Sequence, residues 1–93
     1  MTQSRIKKTI LRRSSFSMSK LPNTTAKEAA LAFEKAGFFH DRAEGSHFIY
    51  KKPGYQFLLS IPIHKGKDLP SGLLRSLIRT AGLSVDEFVE LLA

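Results

Sequence analysis

Three histidines, His40, His47 and His64, are the residues best suited to proton transfer near neutral pH. None stands at a metal-ligand spacing, so no metal site is expected. The chain has no cysteine, which excludes thiol nucleophiles, disulfides and cysteine-based zinc sites. No G-x-S-x-G, P-loop or H-E-x-x-H pattern occurs. The neighbouring carboxylates Asp86 and Glu87 stand at a helix start, where capping and the helix dipole explain them better than acid–base work. What remains is imidazole chemistry beside cations. Lys51, Lys52, Lys65 and Lys67 lie near His47 and His64, and Arg75 and Arg79 stand one helical turn apart further on. Singly each reads as a solvated charge; together they suit phosphate groups.

The elements around His47 decide whether it is accessible. His47 to Lys52 reads as a strand, with Phe48, Ile49 and Tyr50 as strong strand formers. Pro53-Gly54 signals a turn. Tyr55 to Ile63 then alternates, with Tyr55, Phe57, Leu59, Ile61 and Ile63 on one side, and reads as the next strand. Pro62 cannot donate to a ladder, so this strand is expected at an edge or ends there. With an even-length loop, Lys52 pairs with Tyr55 and His47 lies opposite Ser60. His47, Ile49, Lys51, Gln56 and Ser60 then share the solvent face, and Phe48, Tyr50, Phe57, Leu59 and Ile61 share the core face. An odd loop would reverse the faces. The pattern alone leaves His47 open between a functional group and a plain surface histidine. His64 reads most simply as a strand-end cap.

The remaining elements follow from local signals. Thr25-Ala-Lys-Glu28 fits a capping box that opens a helix over 26–36, with Ala29, Ala30, Phe33 and Ala36 at helical spacing and Gly37 as its stop. Phe38 to Arg42 reads as a first strand, and 43–46 as a turn in which Gly45 is free to take positive φ. A polar loop runs from His64 to Leu69. Pro70 suits the first turn of a second helix, whose stripe is Leu73, Leu74, Leu77, Ile78 and Ala81, stopped by Gly82. Ser84-Val-Asp-Glu87 is a second capping box, opening a short helix with Val85, Phe88, Val89 and Leu92 inward. The order α-β-β-β-α-α favours an α+β fold, an antiparallel three-stranded meander with its helices on one face.

Composition bounds the rest. At 93 residues the chain is one domain at most, too short for a Rossmann unit with a substrate domain or for a barrel. Hydrophobic residues make up 42% and charged residues 25%, ordinary globular values. No apolar run approaches the roughly 20 residues that span a bilayer. The net charge of +7 is unevenly placed. Residues 1–20 carry Arg5, Lys7, Lys8, Arg12, Arg13 and Lys20 with no acid, which leaves 21–93 near neutral. The high pI therefore describes mostly a tail. Residues 1–22 are expected to be a disordered basic extension and 23–93 the folded domain. The extension resembles a transit peptide in being basic, Ser-rich and acid-free. A functional tail is a second reading. A start at Met18, with 1–17 ahead of the true chain, is the reading preferred here.

Several blocks together resemble the HicA (YcfA-like) toxins of bacterial toxin–antitoxin systems. They are Phe33-Glu-Lys-Ala-Gly-Phe38, Gly45-Ser-His-Phe-Ile-Tyr50, Ile61-Pro-Ile-His64, Leu69-Pro-Ser-Gly-Leu-Leu-Arg-Ser-Leu-Ile78 and Ala81-Gly-Leu-Ser84. The resemblance covers about residues 20–93, and the G-S-H-x-I-Y block combined with a helix ending in A-G-L-S makes it specific. It implies a fold like the double-stranded-RNA-binding domain, α-β-β-β-α, here with a short extra C-terminal helix. It also implies a ribosome-independent mRNA interferase of the cytoplasm, silenced by a HicB-type antitoxin, that needs no cofactor. The family's catalytic histidine follows Gly-Ser, which is His47 here. Many members carry a second histidine next, where this chain has Phe48; by the alternation Phe48 points into the core, so activity is expected to survive the change. Family chains usually start shortly before the first helix, and Met18-Ser-Lys-Leu-Pro looks like such a start.

The chemistry implied is consistent with the residues. RNA carries its own nucleophile, the 2′-OH beside each phosphate. An imidazole can remove that proton or protonate the leaving oxygen. Cations stabilise the phosphorane charge. The expected RNA-binding set is Ser46, Lys51, Lys52, His64, Lys65 and Lys67. One histidine cannot act as acid and base in one step, so the second partner is water, Lys51 or His64. The alternative function is a non-catalytic RNA-binding module on the same fold, which needs no histidine.

Overall fold

The computed structural model describes residues 21–93. The expectations for residues 1–20, a disordered, functional or targeting tail and a start at Met18, lie outside the described residues; residues 21 and 22, placed in the disordered extension 1–22, are described, and Leu21 packs against the core. The element order is α1 (Ala26–Lys35), β1 (Phe39–Glu44), β2 (His47–Lys51), β3 (Leu59–Pro62), α2 (Ser71–Thr80) and α3 (Val85–Leu92). Both capping boxes form. The Thr25 hydroxyl accepts from the Glu28 amide at 3.2 Å, and the Glu28 carboxylate accepts from the Thr25 amide at 2.9 Å. Ser84 and Glu87 repeat the exchange at 3.0 and 2.8 Å. Each box satisfies amides that a helix start leaves without partners.

The strands form one antiparallel sheet in the order β1-β2-β3, and the helices cover one face of it. Ala26, Ala29 and Ala30 keep the buried side of α1 thin, so the helix lies close to its neighbours. Phe33 anchors it, with its ring 5.1 Å from Phe88 of α3 and 6.1 Å from Phe38. Tyr50, Leu59 and Ile61 supply the sheet's side of the core, and Leu74, Leu77 and Ile78 the side of α2. Leu21 packs against this core from ahead of α1. The Leu69 amide donates to the Thr24 carbonyl at 2.8 Å, tying the loop before α2 to the start of α1.

Several expectations for the helices are corrected. Pro70 is the N-cap of α2, one residue outside its first turn, and Leu73 of the stripe is only partly buried. In α3, Phe88 alone is fully buried; Val85 and Val89 are only partly buried, and Leu92 is partly buried against the core.

The third strand is shorter than the alternation implies. Only Leu59–Pro62 pairs with β2. The Tyr55 amide donates to the Lys52 carbonyl at 3.0 Å, its ring stands edge-on to Phe38 at 5.9 Å, and its hydroxyl donates to the Thr80 carbonyl at the end of α2. Reaching α2 takes residues 55–58 off the ladder. Phe57, expected in the core, is 52% exposed. Gly82 makes room for this anchor: at φ 80° it suits only a residue without a Cβ, and a Cβ there would stand 3.2 Å from the Tyr55 hydroxyl.

The register also differs. Tyr50 pairs with Leu59, and His47 pairs with Pro62 rather than Ser60. The slip is two residues, an even number, so the paired side chains keep their expected faces. Ile49 does lie on the outer face, yet it is buried, between Arg42 and Ser60 on the flanking strands. β3 is an edge strand that ends at Pro62, as that residue's missing donor requires.

Candidate functional site

His47 opens β2 directly after a two-residue hairpin loop, Gly45-Ser46. Gly45 has φ 59° and open space around it, so the backbone alone demands glycine there. Primed hairpin turns need this conformation because their twist matches that of the strands. The loop places His47 across from Glu44 on β1 and Pro62 on β3, exposed on the outer face of the sheet. On the same face, further along β2, stands Lys51.

A bulge in β1 shapes this corner. The pairing shifts between His40 and Arg42, leaving Asp41 as the extra residue. One inserted residue inverts the alternation beyond it. His40 therefore faces inward, its ring 5.0 Å from Phe48 and 5.5 Å from Tyr50, whereas Arg42 and Glu44 face outward beside Ile49 and His47. Arg42 donates from Nε to Glu44 at 2.7 Å and from Nη1 to Asp41 at 2.6 Å. These two bonds, Glu44 first, hold the guanidinium pKa above its ordinary value. All three groups are exposed, so the pairing orders side chains more than it stabilises the fold.

The expected binding residues divide into three places. Ser46 and Lys51 share the hairpin and outer face with His47. Lys65 and His64 follow β3 at the same end of the sheet, where the Ile63 amide donates to the Ser46 carbonyl at 2.7 Å. They line a groove against Lys27 and Leu31 of α1, and Lys67 closes the turn by donating its amide to the His64 carbonyl at 3.0 Å. Lys52 stands apart: its ammonium lies 5.6 Å from the Phe38 ring and 5.8 Å from the Tyr55 ring. Lys51 is four residues from His47, about 13 Å at the rise of a strand, too far to exchange a proton with it directly.

Asp41, Arg42 and Glu44 did not figure in the sequence reading. The signal for Glu44 was present, since a two-residue Gly-Ser loop places it opposite His47. No residue type announces the bulge. The corner thus offers an accessible imidazole, an ordered carboxylate–guanidinium group and a lysine on one face. Such a set can move a proton beside a phosphate and hold flanking phosphates.

Among the described residues no helix is long and apolar enough to cross a membrane. The family described as HicA toxin of bacterial toxin–antitoxin matches residues 26–83. That span begins with α1 and runs to the residue before the cap of α3. No curated protein matches the chain.

Proposed function

We propose that this chain, which belongs to the HicA toxin family of bacterial toxin–antitoxin systems, is an endoribonuclease that cleaves mRNA in the cytoplasm with His47 as its catalytic group. Family membership implies a HicB-type antitoxin as partner. The observation that carries the reading is the place of His47: exposed on the outer face, directly after the glycine hairpin, and outside the core.

The step draws on the chain, the RNA and water. His47 takes the proton of a 2′-OH, and that oxygen attacks the adjacent phosphorus. The bond from phosphorus to the 5′ oxygen breaks, leaving a 2′,3′-cyclic phosphate, and the departing oxygen takes up a proton. That second proton comes from water or from His64, two residues beyond the cross-strand partner of His47. The roles of His47 as base and acid are interchangeable in this scheme. Ser46 contacts phosphate or sugar beside the reacting bond, Lys51 meets a phosphate further along β2, and Lys65 and Lys67 extend the contact past the end of β3. Phe48 stands where many family members have a second histidine. It is on the inner face, opposite Ile61, and takes no part.

The test is incubation of the purified full chain with a long RNA in the presence of EDTA. Cleavage into cyclic-phosphate products supports the reading. Binding without cleavage would instead identify a non-catalytic RNA-binding module.

A further inference from the structure

We propose that the outer face of the sheet carries a stacking subsite for one base of single-stranded RNA, with Phe39 as its platform and Lys51 as its cation. The subsite deepens the nuclease reading, because it names the form of the substrate. It sits on the face of His47 but away from the reacting bond.

Phe39 pairs with Lys51 in the register, so the two side chains stand side by side on the outer face. The next residue, His40, turns inward onto Phe48 and Tyr50, as alternation requires. Phe39 is 46% exposed. Every other Phe or Tyr ring among the described residues meets a second ring, whereas Phe39 meets none. An aromatic side chain left in water at the start of a strand forgoes the burial that normally accounts for its presence there. The nearby carboxylates of Asp41 and Glu44 are engaged by Arg42, and Lys51 has no ion pair among the described residues.

An exposed ring on a sheet, flanked by an unpaired cation, is how proteins hold single strands. The base stacks on the ring and the cation meets the neighbouring phosphate. A duplex offers no free base face, and its recognition runs through phosphates and 2′-OH groups instead. His47 lies about 13 Å along β2 from Lys51, so the stacked base flanks the cleaved bond rather than adjoining it.

The experiment measures binding, which does not require cleavage. A single-stranded RNA oligonucleotide carrying one 2-aminopurine is titrated into the full chain bearing His47→Ala, with and without Phe39→Ala or Phe39→Tyr. Stacking predicts quenching of the probe, roughly 5- to 150-fold weaker binding for Phe39→Ala, and near-normal binding for Phe39→Tyr. The salt slope of Phe39→Ala should stay unchanged, since no phosphate contact is lost. Equal affinity for the folded Phe39→Ala chain, or no measurable binding to any chain, would overturn the proposal. So would a loss confined to duplex RNA or to the antitoxin. If the chain binds through Phe39 but never cleaves RNA, the subsite stands and the nuclease reading falls.

Discussion

Glu44 stands directly across the hairpin from His47, and its carboxylate is held by Arg42 at 2.7 Å. The two-residue loop places Glu44 there, and the bulge at Asp41 reconciles that register with Phe39 outward and His40 inward. The free chain therefore presents a guanidinium shared between two carboxylates beside its candidate catalytic imidazole. An RNA bound at His47, as proposed, would meet Arg42 already neutralised.

Glu44→Gln removes one of those carboxylates and leaves Arg42 paired with Asp41 alone. Binding of single-stranded RNA at low salt is expected to tighten. The plot of log K against log salt should steepen by about 0.7, the value of one added phosphate contact. An unchanged slope would mean that Arg42 stays out of reach of the RNA.

The same plot tests the lysines. Lys51→Ala and Lys65→Ala should each flatten the slope by about 0.7. Loss at Lys51 alone would confine the RNA to the outer face. Loss at Lys65 would carry it round the end of β3 toward α1.

Tyr50 makes stability depend on pH at the alkaline end. Burial first, then the charge of Glu34 and a long hydrogen bond to it at 3.4 Å, raises the phenol pKa above its ordinary value. The folded state thus favours the neutral phenol. Its contribution is complete below the unfolded value of about 10 and is lost as pH rises through the higher folded value. Denaturant midpoints measured from pH 9 upward should fall less steeply for Tyr50→Phe than for the parent chain.

Phe88 is the one fully buried residue of α3 and meets Phe33 ring to ring at 5.1 Å. Phe88→Ala is expected to cost about 3–5 kcal/mol, a large share of the stability of so small a domain. Chemical denaturation reads this as a lower midpoint. A loss below about 1 kcal/mol would show that α3 is not held by this ring.

Much of this was legible because it is local. The capping residues Thr25 and Ser84, with Glu28 and Glu87 three positions on, act within a single turn. The face of His47 was legible because alternation survives any even slip, and the actual slip was even. The exact partner was not, because the loop before β3 is set by a distant bond from Tyr55 to Thr80. A strand pattern in Tyr55, Phe57 and Leu59 gives no sign that the first of these leaves for α2. The bulge escaped for a similar reason: it lies in Phe39-His-Asp-Arg42, which contains no glycine or proline, and it shows only in the pairing. The pairing of Arg42 with Asp41 was hidden with it.

The assignment of His47 is tested most directly by the cleavage rate of His47→Ala. The variant is purified, its cooperative unfolding is confirmed, and cleavage of a long RNA is followed with EDTA present. Removing an exposed side chain at the edge of a hairpin should change stability by no more than about 0.5 kcal/mol. Removing a general acid–base group should slow cleavage by about 10²–10⁴. His40→Ala, with its ring on the inner face, should cleave at nearly the parent rate, and His64→Ala at an intermediate rate if it carries the second proton. A well-folded His47→Ala chain that cuts RNA at the parent rate would contradict the catalytic role of His47.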